Sequence, residues 1–162
     1  MRTILLSMVL AAVVAVGPVP AAADDAGKII LTIDGEVASG AAVDFTLAEL
    51  EALGTSTITT HTPWHDGAVT FEGVPLSVLM AKVGATGETA AMLALNNYRS
   101  EAPLSDFTRF GVILATRQNG KPMPVNDKGP LFVVYPFDGD PELKSEVYYS
   151  RSAWQVRSIT IE

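Results

Sequence analysis

The sequence predicts an α+β domain built on a mixed β-sheet with short helices, and three observations carry that prediction. Short β-branched or apolar runs recur along the chain between turn signals. Only brief stretches carry a helical apolar spacing, each with its own start and stop residues. Strands and helices do not alternate in a strand–helix–strand rhythm, which argues against a doubly wound parallel sheet. The composition fits one folded domain: 162 residues, 48% hydrophobic and 18% charged. The formal net charge is −7 and the pI about 4.7, so no nucleic-acid partner is expected. The chain has no cysteine, which excludes disulfides, thiolate nucleophiles, iron–sulfur clusters and thiolate metal sites.

The elements follow in order. Residues 1–23 read as a secretory signal peptide: a basic start at Met1-Arg2, an apolar run from Ile4 to Val16, and small residues Ala21-Ala22-Ala23 before Asp24. The apolar run is shorter than the ~20 residues that span a bilayer, so the remainder, 24–162, is expected as a single periplasmic or secreted domain with no membrane contact after cleavage. A single arginine suits the general secretory route, which passes unfolded chains, better than the twin-arginine route. Lys28 to Asp34 predicts a strand. Thr46 with Glu49 three residues on is a capping box, and Gly54 closes that short helix. Thr55 to Thr62 and Ala68 to Phe71 predict strands, the latter ending at Gly73. Pro75 opens a helix over Leu76 to Val83, and Gly84 stops it. Ala91 to Leu95 predicts a strand and Ser105-Asp106-Phe107 a helical turn. Val112 to Arg117 and Met123 flank Asn119-Gly120, a strong hairpin signal. Leu131 to Tyr135 predicts a buried strand with Leu131, Val133 and Tyr135 on one face. Glu146 to Tyr149 and Trp154 to Ile161 are expected to finish the sheet.

Few residues offer chemistry. His61 and His65 are the only histidines, with Trp64 and Asp66 beside them. Their segment reads as strand then turn, and no distant ligand joins them, so no metal site is expected there. Asp138, Asp140 and Glu142 resemble part of a calcium loop but lack the rest of its pattern, which favours a solvated turn. No nucleophile elbow and no dinucleotide or phosphate fingerprint occurs. Tyr135, Tyr148, Tyr149 and Trp154 read as core aromatics of the last strands. Arg151, with Ser150 and Ser152, offers an alternative as an oxyanion-accepting rim.

Four blocks in order resemble the molybdopterin-binding domain of the sulfite-oxidase-type oxidoreductases. Phe71-Glu72-Gly73-Val74-Pro75-Leu76-Ser77-Val78-Leu79 is similar to the family's Trp-x-Gly-Val-Pro-Leu-x-x-Leu block. Asn119-Gly120-Lys121-Pro122-Met123-Pro124 resembles its hairpin, Gly129-Pro130-Leu131-Phe132-Val133-Val134-Tyr135-Pro136 its following strand, and Trp154-Gln155-Val156-Arg157-Ser158-Ile159 its closing segment. The resemblance covers Ile30 to Ile161 and implies that family's fold. It also implies a molybdenum ligand in the strand before the Gly-Val-Pro-Leu block, a place that falls near Thr60-His61-Thr62, where the family has cysteine and this chain has none.

From the missing thiolate, the unrecognised phosphate-holding basic residues and the export route, the first expectation is that no cofactor is bound. The domain is then a small-ligand or protein-partner binding module, with His61, Trp64, Asn97, Tyr98 and Arg151 as its rim and no catalytic residue assigned. The alternative is a molybdopterin-dependent oxidoreductase with an unusual metal ligand at His61. A purely structural domain is the third reading. Whether the chain is an enzyme stays open.

Overall fold

In the computed structural model, residues 27–162 are described; the expected signal peptide lies outside them. They form ten strands, four short α-helices and one 3₁₀ turn. The first sheet has the order β2(Val43–Thr46), β1(Ile29–Gly35), β10(Val156–Ile161), β5(Thr89–Ala94), β6(Arg99–Pro103). Within it β1 and β10 run parallel and every other neighbouring pair antiparallel, so this sheet is mixed. The second sheet is antiparallel, β3(Ser56–His61), β4(Ala68–Pro75), β7(Ile113–Gln118). The far edge of β7 is shared by β8(Lys121–Pro122) and β9(Phe132–Val134). No helix among the described residues is long and apolar enough to cross a membrane.

The local signals explain most of these elements. Thr46 caps α1(Leu47–Ala52) through the Glu49 N–H, while the Glu49 carboxylate accepts from the Thr46 N–H. Gly84, at φ +63°, ends α2(Leu76–Val83) in the left-handed conformation that glycine adopts without cost. Asn119 and Gly120, both at positive φ, make the β7–β8 turn. The strand at Ala68 does not stop at Gly73 but runs on to Pro75. Gly73 sits there because β7 passes against it; a Cβ would meet the Leu114 carbonyl oxygen.

β9 places the core. Leu131, Val133 and Tyr135 enter the larger of two apolar clusters, and Phe132 and Val134 enter the smaller one with Phe71 and Ile113. All five are buried, so both faces of this segment are covered, as its unbroken apolar run predicts.

Three elements differ from expectation, and one of them is β2, a strand at Val43–Thr46 where none was expected. Glu146–Arg151 is a helix, α4, not a strand. Tyr148 is buried beside exposed Val147 and half-buried Tyr149, a one-sided pattern that a single helical turn and a short strand share. Ser145, of a residue type that favours helix starts, precedes Glu146 in extended conformation, but its hydroxyl donates to the Glu142 carbonyl and makes no cap bond. β6 was not expected: Arg-Ser-Glu-Ala-Pro has little strand propensity, and its pairing with β5 holds it in place. The helical turn at Ser105 is α3(Leu104–Arg109).

Candidate functional site

β3 ends at the position where the motif comparison puts a metal ligand, and side-chain alternation decides what it presents. Thr60 points inward and is buried, while the His61 side chain is 66% exposed. Asp138, 77 residues away, closes on this strand end. Its Oδ2 accepts from the His61 backbone N–H at 2.8 Å and contacts His61 Nδ1 at 2.7 Å. Its Oδ1 meets Lys144 Nζ at 2.9 Å, and its own N–H donates to Thr60 Oγ1. The His61 backbone N–H, then its ring, then Lys144 hold the Asp138 carboxyl well below the usual carboxylate range. His61 Nε2 has no hydrogen-bond partner among the described residues.

The loop between β3 and β4 then folds on itself. Buried Thr62 contacts His65 Nδ1 at 2.7 Å and accepts from the Trp64 N–H. Burial first, and then the Lys128 charge, lower the His65 pKa, so its neutral form is favoured. This loop carries Trp64 into an aromatic cluster. Its ring makes edge-on contacts with Phe132, Phe137, Tyr149 and Trp154, at centroid distances of 5.3 to 6.3 Å. Trp64 stays half-buried and packs against both apolar clusters.

The exposed side of Trp64 forms one wall of a cleft of about 280 Å³. Tyr98, Tyr149 and Trp154 complete its aromatic walls, and Asn96, Glu146, Ser150 and Ser152 supply polar groups. Tyr98 Oη and Ser100 Oγ both donate to the Ser150 carbonyl, at 3.1 and 2.6 Å, which fixes α4 against the β5–β6 turn.

Of the expected rim, Trp64 and Tyr98 line this cleft. His61 is not among its lining residues; Asp138 ties the His61 strand end to the adjacent Phe137, whose ring touches Trp64. Asn97 lies outside it, at the turn with φ +66°, accepting from Arg157 at 3.5 Å. Arg151 is turned away. Its Nη1 is 2.8 Å from Oδ2 of buried Asp106, which also accepts from Tyr135 Oη at 2.9 Å. The Arg151 charge is therefore already matched inside the protein and not offered to an oxyanion. Burial, and next the Asp106 charge, push the Tyr135 hydroxyl pKa far up, so it stays a donor.

Asn96 and Glu146 line the cleft without any sequence signal of a site, and Tyr149 and Trp154, expected as core aromatics, are half-buried and form its walls. In the acidic loop Asp140 caps the 3₁₀ turn at Pro141–Leu143, and Glu142 pairs with Arg109 and Tyr148. Among the described residues no three His, Cys, Asp or Glu side chains gather in a metal-holding group.

A family model for the oxidoreductase molybdopterin-binding domain matches residues 16–138. The chain belongs to that family. Three of the four motif blocks lie inside the match, and the closing block at Trp154 lies beyond it. Among solved structures, the sulfane dehydrogenase SoxCD from Paracoccus pantotrophus is similar in fold, with a TM-score of 0.63 and 22% identity. The alignment covers 81% of this chain and 37% of that one, so this chain spans little more than a third of that protein's chain. No curated protein sequence matches.

Family membership corrects the expectation that no cofactor is bound: the family is one that binds molybdopterin. The physical reason for the misjudgement is that a missing thiolate speaks only about the metal's bond to the protein. It does not speak about the much larger organic part, which is held by surface shape and hydrogen bonds. The residues present divide in the same way. An aromatic cleft with an amide and a carboxylate fits a planar heterocycle with hydrogen-bonding groups; the Ser150 and Ser152 hydroxyls already donate to backbone carbonyls. At the metal-ligand position the thiolate of the family is absent, Thr60 and Thr62 are buried and engaged, and His61 Nε2 is the one free donor atom.

Proposed function

We propose that this chain is an exported, molybdopterin-dependent oxidoreductase domain in which His61 takes the place of the family's cysteine as the metal's protein ligand. The observation that supports it most is the His61–Asp138 pair at the end of β3. A histidine whose Nδ1 is held by a carboxylate presents Nε2 in a fixed direction, the arrangement that metal-ligating histidines commonly use. Trp64, Tyr98, Tyr149 and Trp154 would hold the organic part, with Asn96 as its polar contact. The bound cofactor supplies the redox chemistry, and the protein supplies position, orientation and exclusion of water. Asp138 keeps the imidazole in one tautomer, and the Trp64 cluster keeps water from the inner side of the cleft.

The test is purification of the chain, made with its own leader, from the export compartment of a cofactor-producing host. Pterin and molybdenum near one per chain are expected. The mature N-terminus is expected at Asp24, in keeping with the leader. His61→Ala should lower the molybdenum-to-pterin ratio while leaving pterin content high. Wild-type protein carrying neither pterin nor molybdenum would overturn this reading. The cysteine-free donor set supports a second reading, in which the same cleft serves as a binding module for a small ligand or a partner protein. Ligand capture that survives His61→Ala and fails in Tyr98→Ala, without any turnover, would favour it.

A further inference from the structure

A second cavity, of about 400 Å³, shares no lining residue with the Trp64 cleft. It lies between the two sheets, where the start of β1 and the start of β10 face the segment after β8. Its floor is buried and apolar: Leu31, Met123 and Val156. Its upper walls are apolar and open. Six large hydrophobic side chains are exposed among the described residues, and three of them stand here: Ile29 at 48%, Leu95 at 46% and Val125 at 52%. Half the exposed apolar bulk of the described surface is thus gathered at one concave place, which is uncommon on a protein without a use for it.

The charges at this place run against the rest of the molecule. The chain has 18 acidic and 11 basic residues, yet the charged side chains lining this cavity are Lys28 and Arg157, both cationic. Neither is in an ion pair among the described residues, and Arg157 makes only the long contact to Asn97. Two carboxylates bond to threonines of the lining: Glu51, beside Thr116, is occupied by Arg117, and Asp44 accepts from the Thr32 hydroxyl at 2.6 Å. The volume falls in the range of small-molecule pockets, and its concave shape differs from a flat protein–protein face.

We propose that this groove binds an amphipathic monoanion, an unbranched alkyl carboxylate of medium chain length. The alkyl chain lies against Ile29, Leu95 and Val125, above the buried Leu31, Met123 and Val156, and the carboxylate stands at the cationic mouth made by Lys28 and Arg157. The apolar walls provide the affinity by burying the chain, and the two unpaired cations select the sign of the headgroup.

Decanoate, used below its aggregation threshold, tests this by calorimetry and by methyl NMR of the full mature protein. One site per chain is expected, with shifts at the methyls of Ile29, Leu31, Leu95 and Val125. Decyltrimethylammonium, with the same tail and the opposite charge, should bind at least about tenfold more weakly. The double reversal Lys28→Glu/Arg157→Glu should invert that preference; both side chains are exposed, so an unchanged melting temperature verifies the fold. Three outcomes would overturn the proposal: no methyl shifts in the groove, equal affinity for both surfactant signs, or shifts at the Trp64 cleft instead. Concentration-dependent dimerisation abolished by Leu95→Asp would also overturn it, assigning the groove to a second copy of the chain. This inference stands on different residues from the cofactor reading, and failure of either leaves the other intact.

Discussion

Two aspartates tie distant parts of this fold together, and they do so in opposite environments. Asp138 collects the His61 N–H, the His61 ring and the Lys144 ammonium at the surface. Asp106 collects the Tyr135 hydroxyl and the Arg151 guanidinium where it is only 5% exposed. The partner lists look alike, but the physics differs. Water competes for every bond that Asp138 makes, so that pair orients the imidazole without adding much stability. Water does not reach Asp106, so each of its partners would be left uncompensated if the carboxylate were removed. The surface aspartate is suited to positioning a reactive side chain, and the buried one to holding α4 in place behind the cleft.

Substitutions can break this contrast, beginning with the buried side. Asp106→Ala should cost about 3 kcal/mol by urea denaturation, because Arg151 and Tyr135 both lose their acceptor. Replacing Arg151 by Met in the same chain should return part of that loss. An Asp106→Ala cost no larger than that of a surface ion pair would show the network to be dispensable. Trp64→Ala follows closely, at about 3 kcal/mol in melting or denaturant measurements, since the ring contacts four aromatics but is not fully buried. It should also open the cleft, and a loss far below this would mean that the cluster repacks around the gap.

Asp138→Asn should have a smaller effect, and one that depends on pH. The folded-state pKa of Asp138 is depressed, so its contribution is present above the usual carboxylate value of 3.8 and is lost as pH falls below it. The melting-temperature gap between wild type and variant should therefore close in acid, and a constant gap would sink the assignment. His65 should give the smallest effect, in a higher window. Its pKa is lowered in the fold, so the protein should lose a little stability as pH falls through the ordinary imidazole value of 6.5. His65→Gln should flatten that part of the profile.

Residues whose role is set by their immediate neighbours were legible in the sequence. The Thr46–Glu49 capping box, Gly84 at its helix end, the Asn119-Gly120 turn and the two-faced Leu131 to Tyr135 segment depend on contacts within a few positions, or on a period of two. The family was legible for the same reason, because its blocks are local strings. Glu146–Tyr149 failed as a strand because a segment that short fits either period, and Ser145 ahead of it makes no side-chain cap that would mark a helix.

The site was legible only as an inventory. His61, Trp64, Tyr98 and Arg151 were identified as residues with chemistry to offer, and the tertiary structure decided what each could still give. Trp64 and Tyr98 came together in one cleft across 34 positions of chain. Arg151 was consumed by Asp106, 45 residues away, and His61 gained Asp138 from 77 residues away. A side chain's charge, size and hydrogen-bonding groups belong to its type and can be read from a sequence. Which of those groups remain unpaired depends on partners brought close by folding, and that decides whether an arginine holds a helix or meets a ligand.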